Sequence, residues 1–273
     1  MTVLSCGRFR LDLSTPRIMA ILNVTPDSFS GDGLLKQRDA VLRRAEAAVR
    51  EGAHVLDLGG ESSRPGAEPV SEAEELDRVI PVVEALAGWE VPVSVDTVKP
   101  AVMAAAVAAG AAMVNDINAL RASGALAAVA NSDAAVCLMH MQGAPRTMQA
   151  APSYDDVVAE VQTALAERVA AVRAAGVAPD RILIDPGFGF GKTLAHNIAL
   201  FRAMPALATL APVLAGVSRK SMLGALTGQP VEARLVASAV AAALAVQAGA
   251  CCVRVHDVAA TRDALAVLAA LAP

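Results

Sequence analysis

The chain has 273 residues, a formal net charge of −4, 55% hydrophobic residues and only 3% aromatic ones. That length suits one large domain or two small ones and can bury a substantial core. Mild acidity without a run of like charge argues against a nucleic-acid or anionic-membrane surface, so any anion must be met by a few local basic groups. High hydropathy makes a membrane span worth testing. The most apolar stretch, Leu235 to Val253, is broken at Gln247, Ala248 and Gly249 into an alanine-rich helix and a strand, and Arg254 follows at once. Arg8, Arg10 and Asp12 interrupt any signal-peptide core. The expectation is a cytoplasmic protein whose Cys6, Cys137, Cys251 and Cys252, lacking CxxC spacing, are reduced thiols.

In chain order, VLSCGRFRLDL (3 to 13) alternates as a short hairpin turning near Gly7, and residues 1–14 read as a lid over one end of the domain. A unit of apolar strand, polar or glycine-bearing loop and alanine-rich helix then recurs eight times. The strands are expected at Ile18–Leu22, Val55–Leu58, Val93–Val95, Met113–Asn115, Ala134–Leu138, Ile182–Ile184, Val213–Ala215 and Cys252–Val255. One helix, Glu72 to Ala87, opens with Ser71 and Glu74 in capping-box spacing, and the helix before it closes at Gly52. No linker-like stretch divides the units, so residues 1–273 are expected to form a single domain.

Eight such units define an α/β chain, either a (β/α)8 TIM barrel with an N-terminal hairpin or an open doubly wound sheet. The polar residues favour the barrel. Asn23, Glu61 with Ser62, Asp96, Asn115 with Asp116, His140, Asp185, Ser218 with Arg219 and Lys220, and Arg254 with His256 each follow one strand in turn. An open sheet concentrates ligand groups at one switch point, whereas a closed barrel brings all eight strand ends round one mouth.

Of these ends, RILIDPGFGFGK (181 to 192) is the most informative. It runs a buried strand into a carboxylate, and its alternating glycines let the backbone turn tightly beside a ligand. Pro186 stands where a phosphate-cradling GxxxxGK[ST] loop would need glycine, and GxGxG is not the dinucleotide fingerprint, so Asp185 is the working group and the loop its support. Taken alone, Asp185 also reads as a helix cap, as does Asp96 ahead of Thr97, while Asn115 also reads as a satisfied strand-end amide. His54 and His196 read as structural, and His140 as a residue near the mouth.

Together, NVTPDSFS (23 to 30), GGESSRPG (59 to 66), SVDT (94 to 97), NDI (115 to 117), DPGFGFGK (185 to 192), SRKS (218 to 221) and RVHD (254 to 257) resemble the dihydropteroate synthases of the pterin-binding family, over nearly the whole chain. The resemblance implies a transferase of folate biosynthesis. It would join p-aminobenzoate to 7,8-dihydropterin-6-ylmethyl diphosphate and release diphosphate. A pterin edge of N–H donors, ring nitrogens and a carbonyl calls for a carboxylate, an amide and a cation, types that Asp185, Asn115 and Lys220 supply. By resemblance Asp96 joins them, and Asp96, Asp185, Lys220 and Arg254 carry the catalysis.

For the diphosphate, Arg254 and His256 are two apart on an extended segment and so face the same way, with Ser63 and Arg64 reaching over from the second loop. The family pattern gives Asn23 a Mg2+ ion. It builds the p-aminobenzoate site from Phe29, Ser63 to Pro65, Phe190, Lys220 and Ser221, and implies a homodimer. Pterin-binding methyltransferases share the fold but have no diphosphate to hold, which SSRPG, SRK and RVH argue against. One departure stands out: Gly31-Asp32-Gly33 follows DSFS where the family has Asp-Gly-Gly, moving a carboxylate by one residue.

Overall fold

The structure, a computed structural model, describes residues 2–24, 33–62 and 69–271, with the side chains of 33–37 left aside. Phe29, Asp32, Ser63, Arg64 and Pro65 lie outside the described residues. Val3–Cys6 (β1) and Phe9–Asp12 (β2) pair antiparallel around a turn in which Gly7 takes φ 56°. Eight parallel strands come next: Arg17–Asn23 (β3), Val55–Gly59 (β4), Val93–Asp96 (β5), Met113–Asp116 (β6), Ala135–Met139 (β7), Ile182–Asp185 (β8), Val213–Ala215 (β9) and Ala250–Val255 (β10). The helices are Gly33–Glu51 (α1), Glu72–Leu86 (α2), Pro100–Ala108 (α3), Ala125–Ala130 (α4) and Val157–Ala174 (α5). Leu194–Arg202 (α6), Met204–Leu207 (α7), Ser221–Thr227 (α8), Leu235–Gln247 (α9) and Val258–Leu271 (α10) complete them. None of the described helices is long and apolar enough to cross a membrane.

The strands close into a barrel in the order β10-β3-β4-β5-β6-β7-β8-β9. Closure rests on β10 pairing with β3, Cys252 opposite Arg17 and Val255 opposite Ala20, which rules out the open sheet. Several strands run one residue beyond their apolar core, so that Asn23, Asp96, Asp116 and Asp185 are themselves the last ladder residues. β10 starts two residues earlier than Cys252, at Ala250, with a register irregularity between the two. At α2 the cap is half of what the spacing predicts. Ser71 Oγ accepts from the Glu74 backbone N–H, while the Glu74 side chain turns to Arg78.

Strand alternation sorts the residues into two populations. Along β4, Leu56 and Leu58 pack outward beneath the helices, in one cluster with Val93 and Val95 of β5. Val55 points inward, in a second cluster with Met19, Met113, Cys137, Leu183, Leu214 and Cys252. Leu4 and Cys6 of the hairpin complete this inner cluster and seal the barrel at the N-terminal ends of its strands. The Gly7 N–H donates to the Asp133 carbonyl at 2.8 Å and Ser5 Oγ to Asp180 at 2.6 Å, tying the hairpin down. The lid expected from the sequence is therefore a plug, at the end opposite the polar loops.

Candidate active site

Two residues further along the same inward rows, the apolar filling gives way to charge. Asp57 lies above Val55, with Gly59 above it; on β5 the inward pair is Ser94 and Asp96, and on β6 it is Met113 and Asn115. Asp57 and Ser94 are fully buried, and Asn115 and Asp185 nearly so. Arg254, inward on β10, donates from Nε to Asp57 Oδ2 at 2.6 Å and from Nη2 to Asp96 Oδ2 at 2.7 Å. Asn115 Nδ2 donates to the same Asp57 oxygen at 3.3 Å. Burial opposes the guanidinium charge, yet Asp57 and Asp96 outweigh it and raise the Arg254 pKa. Burial pushes the Asp96 carboxyl up to about 7 against the pull of Arg254, with Asp57, Asp116 and Glu75 adding to the rise.

The second group forms around Asp185. Its Oδ1 accepts from the Gly187 N–H at 2.7 Å. Its Oδ2 faces Gly216, where an added Cβ would lie 3.4 Å from that oxygen and 3.6 Å from Lys220 Nζ. Gly216 thus lines the space between anion and cation. Burial raises the Asp185 pKa, opposed by Lys220 and the Gly187 N–H, and burial lowers that of Lys220 to about 8 against the pull of Asp185. Lys220 Nζ also donates to the Phe188 carbonyl and stands 4.7 Å from the centre of the Phe190 ring. Ser221 comes next, exposed at the first turn of α8.

The loop that carries Asp185 and Phe190 is fastened from below by a buried lysine. Lys192 Nζ lies 3.0 Å from His140 Nδ1 and donates to the carbonyls of Gly187 at 3.0 Å, Phe190 at 2.9 Å and His140 at 3.3 Å. Burial lowers the Lys192 pKa to about 7 despite Asp185, and lowers that of His140 to about 3, so the imidazole beside the amine is neutral. Gly187 takes φ 71°, and a Cβ there would overlap the His140 carbonyl oxygen. Only glycine lets this loop close on β7.

The last loops are held in their turn. The Arg219 backbone sits at φ 58°, an uncommon state for a non-glycine residue. It is fixed by the guanidinium's two bonds to Asp257, at 3.0 and 2.6 Å, and by the Arg219 N–H donating to Ser238 Oγ at 2.9 Å. Ser218 Oγ accepts the His256 backbone N–H at 3.2 Å and lies 3.0 Å from His256 Nδ1. β10 ends at Val255, Arg254 turns across the barrel interior to two carboxylates, and the His256 ring is held by Ser218. Asn23 ends β3, its amide oxygen 3.9 Å from where a Gly59 Cβ would sit, as is the Asp96 Cβ.

Asp116 proves to be a turn former. Its two oxygens accept from Asn118 and Leu120 N–H at 2.7 Å each, holding Ala119 and Leu120 at positive φ. His54 accepts the Ile18 N–H at 3.1 Å and His196 completes a capping box with Thr193, both away from these groups. Sequence reading passed over Asp57, Lys192 and the ion pairs of Lys99 with Glu61 and Glu75. The signal for Asp57 was present, since a lone carboxylate in VLDLG is out of place in a strand buried on both faces.

Charge gathered at the C-terminal ends of the strands, over a sealed apolar floor, is the plan of a barrel enzyme. Residues 19–256 match the family described as pterin binding enzyme. Dihydropteroate synthase from Neisseria meningitidis serogroup B is 52% identical, over 98% of this chain and 97% of that protein. The Burkholderia cenocepacia dihydropteroate synthase crystallised with 7,8-dihydropteroate is 52% identical, with a TM-score of 0.91 over 99% of this chain and 96% of that one. The Xanthomonas albilineans dihydropteroate synthase crystallised with 4-aminobenzoic acid is 52% identical, with a TM-score of 0.93 over 99% and 98%. The chain belongs to the pterin-binding enzymes and, within them, to the dihydropteroate synthases, transferases of folate biosynthesis.

Proposed function

We propose that the mouth binds the pterin of 7,8-dihydropterin-6-ylmethyl diphosphate through Asp185, Asn115, Asp96 and Lys220, and that the diphosphate meets Arg254 and His256 together with Ser63 and Arg64. The observation that carries this reading is Asp185. One of its oxygens is committed to the Gly187 N–H and the other faces the gap at Gly216 beside Lys220, so a ligand with adjacent N–H donors and a carbonyl finds an acceptor and a cation side by side. The relatives crystallised with 7,8-dihydropteroate and with 4-aminobenzoic acid support the same ligands here. Phe190 and Ser221, either side of Lys220, with Phe29 and Pro65, take the p-aminobenzoate.

The chemistry asked of these residues is positional and electrostatic. Lys220 and Asp185 orient the pterin, whose ring delocalises positive charge as the methylene–oxygen bond breaks. Arg254 and His256 stabilise the departing diphosphate, and the arylamine attacks the methylene carbon and then loses a proton. Asn23 offers a single hard oxygen, the kind of donor that suits Mg2+, an ion that keeps water and substrate phosphates around it. Mg2+, when bound, supplies neutralisation of leaving-group charge. Val236, Val240 and Leu244, four apart along α9, are exposed with Val267 and Leu271 of α10, an apolar stripe that supports a homodimer. The free thiols of all four cysteines support a cytoplasmic location.

Calorimetry on Asp185→Asn with a pterin lacking the diphosphate tests the central assignment. An amide turns a donor towards ligand donors, so affinity should fall by roughly 2 to 4 kcal/mol; unchanged affinity would remove Asp185 from the site. Magnesium titration of the rate in Asn23→Ala and sedimentation of the unmodified chain check the other two points. An unshifted magnesium curve or a monomer at micromolar concentration would refute them.

A further inference from the structure

Asp57 is not among the residues that meet the substrate in the proposed function. It sits in the middle of β4, has no exposed surface, and is flanked by Leu56 and Leu58, which pack the other way. Yet its Oδ2 takes both the Arg254 Nε–H at 2.6 Å and the Asn115 Nδ2–H at 3.3 Å. We infer that Asp57 is a positioning residue of the reaction, one buried carboxylate oxygen that sets the direction of the pterin-reading amide and of the arginine on the leaving-group side. The inference rests on the proposed function, in which Asn115 and Arg254 meet the substrate.

Two physical arguments carry it. A carboxylate only accepts hydrogen bonds, so Asn115 must turn its NH2 group towards Asp57, which directs its amide oxygen away, to the side where a ligand donor can meet it. Without that partner the amide could take either orientation, and an oxygen set to accept would become a nitrogen that repels a ligand N–H. Arg254, for its part, has a long side chain whose rotamer freedom must be lost before it can act. Asp57 on Nε and Asp96 on Nη2 fix the guanidinium plane in advance, so that cost falls on folding and not on substrate binding. Asp57 and Asp96 sit on neighbouring strands, and Asn115 lies directly across from Asp96 in the ladder, so the fold itself makes this junction.

The test is Asp57→Asn, which keeps the shape and lets position 57 donate. The dissociation constant of the bare pterin and the KM for its diphosphate should each rise about tenfold, the loss of one charged hydrogen bond. The KM for p-aminobenzoate should stay within about twofold of the parent's, since among the described residues the side chains hydrogen-bonded to Asp57 are Asn115 and Arg254, neither of them placed at the p-aminobenzoate. The Arg254 Nε–H resonance should lose the downfield position that a short bond to a carboxylate gives. Unchanged pterin affinity, or an equal loss in all three constants, would overturn the inference. If Asp57→Asn does not fold, the double variant with Arg254→Met removes the buried pair together. It should bind bare pterin more weakly than Arg254→Met alone, because Asn115 has lost its orienting partner, and equal affinity would overturn the inference. Asn115→Ala separates the two levels. If it weakens pterin binding while Asp57→Asn does not, only the positioning role falls; if neither weakens it, the placement of the pterin at Asn115 falls as well.

Discussion

The two ends of the barrel are made from the same eight strands and obey opposite rules. At the N-terminal end the inward residues are Met19, Val55, Met113, Cys137, Leu183, Leu214 and Cys252, capped by Leu4 and Cys6. Burial pushes the Cys137 and Cys252 thiols well above their usual range, so they behave as small apolar groups. One ladder step on, the inward residues are Asp57, Asp96, Asn115, Asp185 and Arg254, each a group that costs free energy to bury and must be paired to be tolerated. The plug stabilises by filling space. The mouth holds charges in place.

The largest way to break that comparison is at the mouth. Arg254→Ala leaves the carboxylate of Asp57 buried without its cation, and the chain should lose about 3 to 5 kcal/mol of stability as well as turnover. Urea denaturation and steady-state rates measure the two effects. Loss of turnover at full stability would show that water enters and solvates Asp57, so that the mouth does not support its own fold. At the other end Leu4→Ala should cost about 2 to 5 kcal/mol, by lost burial and the cavity left behind. In the folded fraction KM and kcat should match the parent's, because Leu4 belongs to the apolar cluster at the sealed end. A changed KM would mean that the plug also sets the mouth's geometry.

What the sequence makes legible divides along the same line. The barrel is legible because apolar strands between alanine-rich helices recur with polar residues at every strand end, and Val213–Ala215 falls where the sequence places it. Asp185 and Lys220 are legible as residue types matched to a ligand edge, and the structure brings them to either side of Gly216. Their partners are hidden. That Arg254 turns to Asp57 and Asp96, 197 and 158 positions away, comes only from closing β10 against β3 and so bringing the first strands round to the last. Lys192 reads in sequence as the end of a glycine loop; that it points inward, under the loop, is set by the closeness of Gly187 to β7.

That lysine gives the smallest and sharpest comparison between the ends, because its cost falls as pH rises, whereas the leucine, methionine and valine filling of the plug does not titrate. In the folded chain burial lowers its pKa to about 7, whereas in the unfolded chain it returns to the ordinary value of 10.5. Below about pH 7 both states hold the proton, and the full cost of a buried charge is present. Between these two values the unfolded chain binds more protons than the folded one, so raising the pH favours folding; above pH 10.5 neither holds the proton and the cost is gone. Lys192→Met keeps the length and removes the titration, so the gap in stability between parent and variant should move in the parent's favour as pH rises. From about pH 7 to about pH 9 the change should be about 1 to 2 kcal/mol, below the limit of about 1.4 kcal/mol per pH unit for a single group. Urea denaturation of both proteins at the two pH values measures it. Other groups that titrate in this range, Lys220 among them, are present in both proteins and cancel in the difference to the extent that they do not sense Lys192. Parallel pH profiles would mean that the three carbonyls and His140 Nδ1 around Nζ keep the ammonium charged throughout, and that the loop under Asp185 rests on a permanent cation.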